Sequence, residues 1–502
     1  MTESLKVWFL ASEVAPFAKT GGLADVAGSL PAYLRNLGVD VRVGLPFYRM
    51  AKDGDFKAQK VIEGLEVPLG NTRLRGGVLE TSTDEGVPVY LFDREDLFDR
   101  PNLYGTPDGD YYDNLERFTY FCRAALLFAS KVGFQFDVVH CHDWQTGLIP
   151  AYIKTLYRAN PFFSNAASVF TIHNIGYQGL FPPDRLHICG LPGTEYNPEG
   201  LEYWGKISFL KAGIVYADAI TTVSPRYSQE IQTPEFGMGM DGILRKRSAD
   251  LYGILNGADY TSWNPAMDRH ITNHYSLGNM RGKRKCKAGL VKELGLHERF
   301  VDRPVLGMVS RLAPQKGSDL LAQVVEDIVG LDAGLVILGA GEEAYQALFL
   351  GLGRKYPESA AVTIGFDEGL AHRIMAGVDM FLVPSHYEPC GLTQIYALKY
   401  GTVPIVRATG GLDDTINPFD PGSGEGTGFK FSDYQAKAFL DQIREALKVF
   451  EDRPGWMKLV ENGMQADFSW EKSAREYVSL YEKVKEEANG FRNAECGMRN
   501  AE

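Results

Sequence analysis

Short runs of apolar residues alternate with longer stretches of helical spacing along most of the chain. At the start, residues 6–12 and 39–45 form two such runs, and the segment between them, residues 22–37, places Leu23 and Leu30 on one helical face. Apolar runs of this length are typical of buried strands, and apolar spacings of three and four are typical of helices. The opening of the chain therefore predicts a βαβ unit.

The same alternation continues as two series of predicted strands separated by helical stretches. The strands of the second series are apolar on both faces, which is typical of parallel strands covered by helices. Two series of this kind predict an α/β chain with two doubly wound domains. The first series comprises residues 6–12, 39–45, 87–92, 137–140, 167–172, 219–223 and 251–255, and the second comprises residues 305–309, 335–338, 361–364, 380–383 and 403–406.

The pattern breaks within residues 259–275, where Asn, Asp, Pro and Trp are frequent, and this segment is the predicted domain boundary. At the end of the chain the polar string Arg-Asn-Ala-Glu occurs at residues 492–495 and again at 499–502. The polar tail, residues 488–502, is expected to be disordered. Ligands of open parallel sheets bind outside the carboxyl ends of the strands, so polar residues at those ends are the candidates for function.

Composition and charge narrow the function classes. The chain has 502 residues and a net charge of −12, which argues against a nucleic-acid partner because such proteins need a basic surface. A local basic pocket could still bind an anionic small molecule. No apolar run approaches the ~20 residues that span a bilayer, so no membrane partner is expected. The six cysteines form no C-x-x-C pair, and free thiols fit a cytoplasmic location.

Two loops of the first domain combine residues with clear chemistry. Lys19 precedes the tandem glycines Gly21 and Gly22 at the start of a helix, which indicates either an anion-binding loop or a tight turn. Asp143 and Trp144 follow another strand and suit a sugar, since a carboxylate accepts from hydroxyls and an indole stacks on C–H groups. Asp143 is also expected to cap the helix that follows.

Other polar residues at strand ends of the first domain carry weaker signals. His140 and His142 have no carboxylate at helical ligand spacing, so a role outside metal binding is favoured. His173 and Asn256 each follow a strand. Taken alone, a single histidine is more often structural than catalytic, and Asn256 is compatible with a simple turn.

The second domain has two loops whose charges point to a ligand. Arg311 and Lys316 lie five positions apart after its first strand, which favours a phosphate site over two unrelated surface cations. Glu388 stands before a helix that begins near residues 390–393. A carboxylate there can hold sugar hydroxyls while the free N–H groups hold a phosphate, although a plain capping loop would have a similar sequence.

Two further segments have more ordinary interpretations. Residues 339–344 match the G-x-G-x-x-A pattern of dinucleotide-binding turns, but the acidic residue that should end the next strand comes late, at Asp367. A nucleotide-lining or purely structural turn is therefore favoured over an NAD site. The basic cluster at residues 281–287 is interpreted as a solvated helix face.

Five of these segments occur in the same order in one known family. They are residues 19–25 (Lys-Thr-Gly-Gly-Leu-Ala-Asp), 142–144 (His-Asp-Trp), 173–174 (His-Asn), 310–317 (Ser-Arg-Leu…Gln-Lys-Gly) and 388–394 (Glu-Pro-Cys-Gly-Leu-Thr-Gln). Together they resemble the bacterial glycogen synthase and plant starch synthase family over residues 5–485. Residues 205–213 and 409–412 match the family as well.

The resemblance implies a GT-B glycosyltransferase, in which two Rossmann-like domains with parallel sheets face each other across a deep cleft. The implied reaction transfers glucose from ADP-glucose to the non-reducing end of an α-1,4-glucan, retains the anomeric configuration and releases ADP. No metal or other cofactor is implied. The implied domains are an acceptor-side domain at residues 1–260, a donor-side domain at 261–468 and a last helix at about 469–487 that returns to the first domain.

The resemblance also assigns roles to the motif residues. Glu388 would hold the donor glucose, Arg311 and Lys316 would neutralise the leaving diphosphate, and His173 and Asp143 would position the sugar. The implied catalytic residues are Glu388, His173, Arg311 and Lys316, the implied donor-binding residues are Lys19, Gly22, Asp143, Asn256, Cys390, Gly391, Leu392 and Thr393, and the implied acceptor residues are Asp25 and Trp144.

The sequence leaves the mechanism and some other functions open. Glu388 is the one carboxylate nucleophile that the motifs offer, and its implied role is sugar binding, so attack and departure on one face are favoured over a double displacement. A nucleotide-sugar epimerase of the same architecture, an NAD-dependent oxidoreductase and a non-catalytic polysaccharide-binding protein are the alternatives. The last of these would need no diphosphate site.

Overall fold

The computed structural model describes residues 4–499, with side chains described up to residue 490. The chain divides into two compact units. Unit 1 comprises Met1–Val223, Ser228–Gly257 and Trp470–Glu502, and unit 2 comprises Ser224–Tyr227 and Ala258–Ser469. The main crossing, between Gly257 and Ala258, comes directly before the polar segment at residues 259–275.

Unit 1 is built around a nine-stranded sheet. The strands before residue 257, β1 to β14, are Lys6–Leu10, Asp40–Pro46, Gln59–Leu69, Thr72–Ser82, Pro88–Asp93, Gly105–Thr106, Gly109–Asp110, Val138–His142, Ala167–Ile172, Leu180–Phe181, Glu202–Tyr203, Lys206–Ser208, Ala219–Thr222 and Leu251–Gly253. The sheet order is β14-β13-β9-β8-β1-β2-β5-β4-β3. Its pairs are parallel except for β5 with β4 and β4 with β3, which are antiparallel.

Helices connect the parallel strands of unit 1 and cover the sheet. Those before residue 257, α1 to α9, are Gly22–Asn36, Arg49–Lys52, Glu95–Phe98, Asn114–Lys131, Leu148–Lys154, Leu186–Cys189, Phe209–Tyr216, Pro225–Glu230 and Asp241–Lys246. Helix α1 buries the predicted apolar face, which includes Leu23 and Leu30. The opening βαβ unit is thus confirmed, with β1 and β2 paired in parallel from Lys6 opposite Asp40.

Unit 2 is a second doubly wound unit with a six-stranded sheet. Its strands, β15 to β20, are Val305–Val309, Gly334–Gly339, Ala360–Ile364, Met380–Val383, Val403–Arg407 and Phe429–Phe431. The sheet order is β17-β16-β15-β18-β19-β20, and every pair is parallel. Its helices, α10 to α17, are Arg281–Glu293, Ser318–Gly330, Glu343–Lys355, Glu368–Gly377, Thr393–Lys399, Gly410–Thr415, Ala436–Glu451 and Arg453–Gln465.

Both faces of the unit 2 sheet are buried, as the sequence predicts for parallel strands. Leu306 and Met308 of β15 enter one apolar cluster, which also takes side chains from α11, α16 and α17. Val305 of the same strand enters the opposite cluster with side chains from α10, α13 and α14. Because the strand is apolar on both faces, it can lie only at the centre of such a unit.

The last helix, α18 (Trp470–Arg499), returns the chain to unit 1. The Tyr481 hydroxyl forms a 2.7 Å hydrogen bond with His140 Nδ1, and Ser473 Oγ donates to the Leu255 carbonyl at 2.6 Å. The sequence-based expectations were a helix end at about residue 487 and disorder at residues 488–502. The backbone is instead helical to Arg499, since Ala, Glu, Arg and Met are good helix formers. Residues 500–502 lie outside the described residues.

The antiparallel hairpin of β3 and β4 was not predicted. Its strands are largely exposed, and their apolar residues are interrupted by charges such as Lys60, Glu63 and Arg75. The hairpin ends the sheet, so β3 is an edge strand and can include Pro68. A search for continuous apolar runs misses strands of this exposed kind.

The prediction of a solvated basic face at residues 281–287 is wrong for two of its lysines. Lys283 Nζ donates to the carbonyls of Ala376 and Val378 and to Thr402 Oγ1 at 2.7–3.3 Å. Burial lowers the pKa of Lys283 to about 8. Lys287 is buried and pairs with Asp379 at 2.6 Å. Helix α10 therefore turns these two lysines inward against the sheet of unit 2.

Candidate active site

The carboxyl ends of neighbouring parallel strands bring the predicted residues of unit 1 to one sheet edge. Strand β8 ends at His142 and is followed by Asp143, while β9 ends at Ile172 and is followed by His173. The loop after β1 leads to α1, which begins at Gly22. Because β1, β8 and β9 are adjacent and parallel, these loops share one edge.

The loop before α1 is held by a buried carboxylate that the sequence patterns did not single out. Glu13 is 4% exposed. Its oxygens accept hydrogen bonds from the Thr20 N–H and hydroxyl at 2.6 and 2.7 Å, from the Gly21 N–H at 3.0 Å and from the Tyr104 hydroxyl at 2.7 Å. Glu13 thus fixes the backbone that leads into Gly22.

The tandem glycines of this loop face open space. A Cβ added at Gly21 or Gly22 would meet none of the described atoms within 4 Å beyond its chain neighbours. Gly21 has an extended φ of −148°, which any residue adopts, so packing and backbone strain do not require glycine here. Lys19, beside them, pairs with Asp25 at 2.6 Å, and both side chains are exposed. This geometry favours the ligand-binding interpretation of the loop over a tight turn.

Asp143 acts across the sheet edge rather than on its own helix. Its Oδ1 accepts the His173 N–H at 2.8 Å, and its side chain makes no capping hydrogen bond to the short helix Trp144–Thr146. The expectation that Asp143 caps this helix is therefore wrong, because its backbone at φ 55° directs the carboxylate toward the neighbouring strand end. Burial raises the pKa of Asp143 to about 7, although backbone N–H groups of His173 and Asn174 oppose the shift.

A contact between two histidines continues this edge. His142 Nδ1 and His173 Nε2 are 2.9 Å apart. Burial lowers the pKa of His173 to about 3 and lowers the pKa of His142 as well. Both rings are consequently neutral near pH 7, and a neutral imidazole can donate from one nitrogen and accept at the other. His173 Nδ1 is then available to pair with a hydroxyl.

Trp144 lies in a different environment from the one the sequence suggested, whereas Asn256 keeps an unpartnered acceptor. Trp144 is 7% exposed and packs edge-on against Phe118 with ring centroids 4.9 Å apart, so its indole belongs to the core of unit 1. This placement favours packing over stacking on a glucan. Asn256 follows β14, and its buried Oδ1 has no hydrogen-bond partner among the described residues. An unpartnered buried acceptor is costly, which supports a ligand contact for Asn256.

Replacing Asp143 by Asn removes a buried charge but keeps an acceptor for the His173 N–H. The unfolded carboxyl, with its usual pKa of 3.8, is ionised by pH 5, whereas the folded one stays protonated up to about pH 7. The unchanged protein therefore loses stability as pH rises through this window, and Asp143→Asn does not. We expect the stability advantage of the variant to grow by about 2 kcal/mol from pH 5 to pH 8.

Calorimetric Tm values of both proteins over pH 5–8 check this expectation. Asp108→Asn, an exposed aspartate in the same unit, is the matched control and should track the unchanged protein. A constant difference between Asp143→Asn and the unchanged protein over this range would contradict the raised pKa.

The sheet edge of unit 2 brings together the predicted cation and carboxylate. Lys316 follows β15 and Glu388 follows β18, and Lys316 Nζ lies 2.6 Å from Glu388 Oε2. Ser385 Oγ donates to the same oxygen at 3.1 Å. Glu388 is 7% exposed. The two residues thus form an oriented and largely buried ion pair. The spacing of the two motifs in the sequence could not show this contact.

Gly317 lets the two loops approach each other. It has a φ of +76°, and a Cβ at this position would lie 2.2 Å from the Pro384 carbonyl oxygen. The His386 N–H also donates to the Gln315 carbonyl at 2.8 Å, which ties the loops together. Arg311 stands exposed beside them and donates to Gln315 Oε1 at 2.9 Å. Arg311 and Lys316 therefore present positive charge at one strand end.

The segment between Glu388 and α14 is fixed by a side chain inside the helix. Gln394 Nε2 donates to the carbonyls of Cys390 and Gly391 and to Thr415 Oγ1 at 2.9–3.2 Å. Gly391 has a φ of +72°, and Cys390 is buried. Leu392 and Thr393 follow, with α14 beginning at Thr393. The fixed turn leaves Leu392 and Thr393 partly exposed next to Glu388.

Glycines elsewhere at this edge have packing roles. A Cβ at Gly410 would lie 2.0 Å from the Glu388 carbonyl oxygen, and one at Gly411 would lie 2.1 Å from that of Cys390. Residues 409–412 therefore allow α15 to pack directly on the Glu388 loop. Similarly, a Cβ at Gly339 or Gly341 would collide with carbonyl oxygens of the loop at residues 310–312. This favours a structural turn at 339–344 over an NAD site.

One further residue of this edge carries no motif in the sequence. Phe366 follows β17 and is 94% exposed, an unusual position for so large an apolar side chain. The Gly365 before it has a φ of +140°, a conformation that favours glycine. A glycine followed by an aromatic residue at a strand end was the available signal.

Comparisons with known proteins agree with this architecture. The family model "Starch synthase catalytic domain" matches residues 6–246, and "Glycosyl transferases group 1" matches residues 296–462. A glycogen synthase of Koribacter versatilis is 48% identical over 96% of this chain and 99% of its own length. One from Moorella thermoacetica is 47% identical over 97% of this chain and 98% of its own length.

Solved structures show the same relationship. The catalytic domain of starch synthase IV from Arabidopsis thaliana, bound to ADP and acarbose, superposes with a TM-score of 0.88 at 33% identity, covering 96% of this chain and 100% of that domain. The fold and these matches define a glycosyltransferase of the GT-B class. More narrowly, the chain belongs to the bacterial glycogen synthase and plant starch synthase family. Among the described residues, no helix combines the length and apolar character needed to cross a membrane.

Proposed function

We propose that this protein transfers glucose from ADP-glucose to the non-reducing end of an α-1,4-glucan, with retention of configuration and release of ADP. The observation that carries the proposal is the Lys316–Glu388 pair, 2.6 Å apart at the carboxyl edge of unit 2 with Arg311 beside it. Cations there suit a diphosphate, and an oriented carboxylate suits the hydroxyls of a sugar. The names of the relatives support the same donor and acceptor classes.

In this proposal unit 2 binds the donor. Arg311 and Lys316 stabilise the negative charge that develops on the diphosphate as the glucosyl bond breaks. Glu388 accepts hydrogen bonds from glucose hydroxyls. Cys390, Gly391, Leu392 and Thr393 supply backbone around the same sugar and phosphate, and Phe366 stacks on the base. The protein's own cations carry the charge neutralisation, without a metal or other cofactor.

Unit 1 supplies neutral and weakly acidic groups. His173 and Asp143 pair with sugar hydroxyls, and Asn256 offers its unpartnered oxygen. Lys19 and the backbone at Gly22 contact the phosphates, while Asp25 acts on the acceptor glucan. These assignments are supported by the open space at the glycines and by the burial of His173 and Asp143.

We infer a reaction on one face of the sugar. The bond from the anomeric carbon to the β-phosphate oxygen breaks, the acceptor's O4 bonds to that carbon, and the departing phosphate oxygen takes the O4 proton. Glu388 is engaged by Lys316 and Ser385, which supports binding over nucleophilic attack. Mass spectrometry of a quenched reaction tests this, and a glucosyl group covalently attached to any side chain would overturn it.

A direct assay tests the function. Labelled ADP-glucose is incubated with the protein and glycogen, and the polymer is then precipitated. We expect label in the polymer and stoichiometric ADP, with weaker transfer from UDP-glucose. Label that leaves ADP-glucose but appears in a free epimerised sugar nucleotide would support an epimerase, and glycogen binding without label transfer would support a binding protein.

We place the reaction in the cytoplasm, which free cysteines such as Cys122 and Cys141 support.

Removal of the exposed ring at Phe366 should weaken donor binding. Stacking of an aromatic side chain on a base contributes roughly 1–3 kcal/mol, so Phe366→Ala should raise the KM for ADP-glucose about 10-fold with little change in kcat. Phe366→Tyr keeps the ring and serves as the control. Steady-state kinetics at saturating glycogen give both constants, and an unchanged KM in Phe366→Ala excludes the stacking role.

A further inference from the structure

A cluster outside the proposed transfer site combines two imidazoles and a carboxylate in unit 2. His270, Glu368 and His372 each offer a ligating atom, and these atoms lie within 4.8 Å of one another. Glu368 is the first residue of α13, and His372 lies four positions later on the same helix face. His270 comes from the irregular segment between Ala258 and α10. The chain thus brings three ligands of two types together from two separate elements.

His372 has a free nitrogen in a buried position. The residue is 1% exposed, and its Nδ1 lies 2.8 Å from Asp268 Oδ2. Its other ring nitrogen, Nε2, is buried without a hydrogen-bond partner among the described residues. Leaving a buried polar atom unpaired is unfavourable. A ligand at Nε2 would remove that cost.

The contact between Asp268 and the His372 imidazole resembles the hydrogen bond that a carboxylate commonly makes with a metal-binding histidine. Besides its contact with His372 Nδ1, Asp268 accepts a hydrogen bond from the Tyr400 hydroxyl at 2.6 Å and one from the backbone N–H of His270 at 2.8 Å. When Nδ1 carries the proton and donates it to Asp268, the lone pair at Nε2 is exposed to a ligand. Metal-binding histidines commonly donate their other N–H to a carboxylate in this way, which fixes the tautomer and raises basicity.

Aromatic rings fix the orientation of the cluster. Trp263 stacks on His372 with ring centroids 3.6 Å apart and an interplanar angle of 15°, and its ring also stacks on Tyr396 at 4.5 Å. The rings of His270 and His372 lie 4.6 Å apart. His270 Nε2 accepts from Arg269 Nε at 3.2 Å, which leaves its Nδ1 for a ligand. The buried part of the site is therefore preorganised, while Glu368 at its rim is exposed.

We propose that His270, Glu368 and His372 bind a divalent transition-metal ion of the zinc class. Two imidazole nitrogens and one carboxylate oxygen form a donor set that suits Zn²⁺, with water in the fourth position. Ligands at zinc bond lengths stand about 3.3 Å apart in a tetrahedron, so a small rotation of the exposed Glu368 and of His270 completes the site. The ion would tie the segment after Ala258 to α13, and it takes no part in the proposed glucosyl transfer.

Cobalt titration of the full chain tests the proposal. The protein, carrying a histidine-free affinity tag, is stripped with chelator and titrated with Co²⁺, whose visible absorption reports low-coordinate binding, and Zn²⁺ is then added as competitor. We expect one Co²⁺ per chain, displaced by Zn²⁺. Quenching of indole fluorescence by Co²⁺ is a second readout, because Trp263 stacks on a ligand; Trp263→Phe should abolish the quenching and leave the absorption.

Ligand variants at exposed or partly exposed positions keep the test independent of folding. Glu368→Gln and His270→Ala should each weaken Zn²⁺ binding by about 10–100-fold or more. His187→Ala, an exposed histidine of unit 1, is the matched control and should bind as the unchanged protein does. Absence of the cobalt absorption, or absorption unaffected by both ligand variants, would overturn the proposal and leave a buried His–Asp hydrogen bond only.

Discussion

Glu388→Gln is expected to lower the turnover of glucosyl transfer by about 10²–10³-fold while the protein stays folded. The substitution preserves the shape of a side chain that is 7% exposed and removes the charge that Lys316 and Ser385 orient. A neutral amide accepts weaker hydrogen bonds from sugar hydroxyls and no longer balances Lys316. The loss should therefore be in kcat as well as in donor affinity.

Initial rates of polymer labelling, measured alongside far-UV circular dichroism and Tm, check this result. Glu451→Gln changes an exposed carboxylate of the same unit and is the control, with expected turnover within twofold of the unchanged protein. Near-normal turnover in Glu388→Gln would remove Glu388 from the transfer site and, with it, the main support for the proposed donor geometry.

Substitution of Lys316, which pairs with Glu388, separates the effect on stability from the effect on function. Lys316→Met leaves the Glu388 carboxylate buried without its cation and should lower the free energy of unfolding by about 2 kcal/mol, less than for a fully buried pair because Lys316 is partly exposed. The double variant Lys316→Met/Glu388→Gln should recover that stability but stay inactive, since both charges serve the donor. Recovery of turnover in the double variant would show that the pair has only a structural role.

Glu13→Ala should have the second large effect. Four hydrogen bonds from Thr20, Gly21 and Tyr104 end on this one carboxylate, so its removal leaves several donors without an acceptor. We expect the free energy of unfolding to fall by about 3 kcal/mol, at roughly 1–3 kcal/mol for each donor that stays buried. Turnover should fall by about 100-fold, because the backbone at Gly22 then loses the preorganisation that donor contact requires.

The comparison that isolates this effect uses a surface carboxylate. Glu66→Ala breaks an exposed pair with Arg75 on the β3–β4 hairpin and should change stability by less than 0.5 kcal/mol, about the size expected for surface pairs. Urea unfolding and initial rates give both quantities. If Glu13→Ala loses stability but keeps full turnover, the loop is only a structural element.

The parts of the fold that follow from burial were predictable. Strands such as β15 and β16 are apolar on both faces, and that pattern requires helices on each side whatever the rest of the chain does. The β3–β4 hairpin lacks this constraint because water covers most of it. The prediction that Lys283 and Lys287 are solvated is wrong because their partners cannot be read from the local sequence. The carbonyls that Lys283 contacts and the Asp379 carboxylate that pairs with Lys287 are close in space but distant in sequence.

The candidate site was likewise predictable only in part. Residues in the loops that follow a buried strand, such as Lys316, His173 and Glu388, could be located because strand ends define the ligand-binding edge of a parallel sheet. The side chains that pair with these residues could not be predicted, since pairing depends on how the loops pack. Glu13 was missed for this reason: a carboxylate that accepts four hydrogen bonds looks, in sequence, like any charge that interrupts an apolar run.

The return of α18 to unit 1 sets the order in which the polypeptide can be completed during synthesis. Unit 2 is nearly continuous in sequence and can fold as soon as Ser469 has left the ribosome. Unit 1 has most of its sheet by Gly257, yet the Tyr481 hydroxyl that meets His140 is made more than 220 residues later. Until then the apolar surface that α18 covers stays open to water, and a nascent chain that stops early presents this surface to chaperones and proteases.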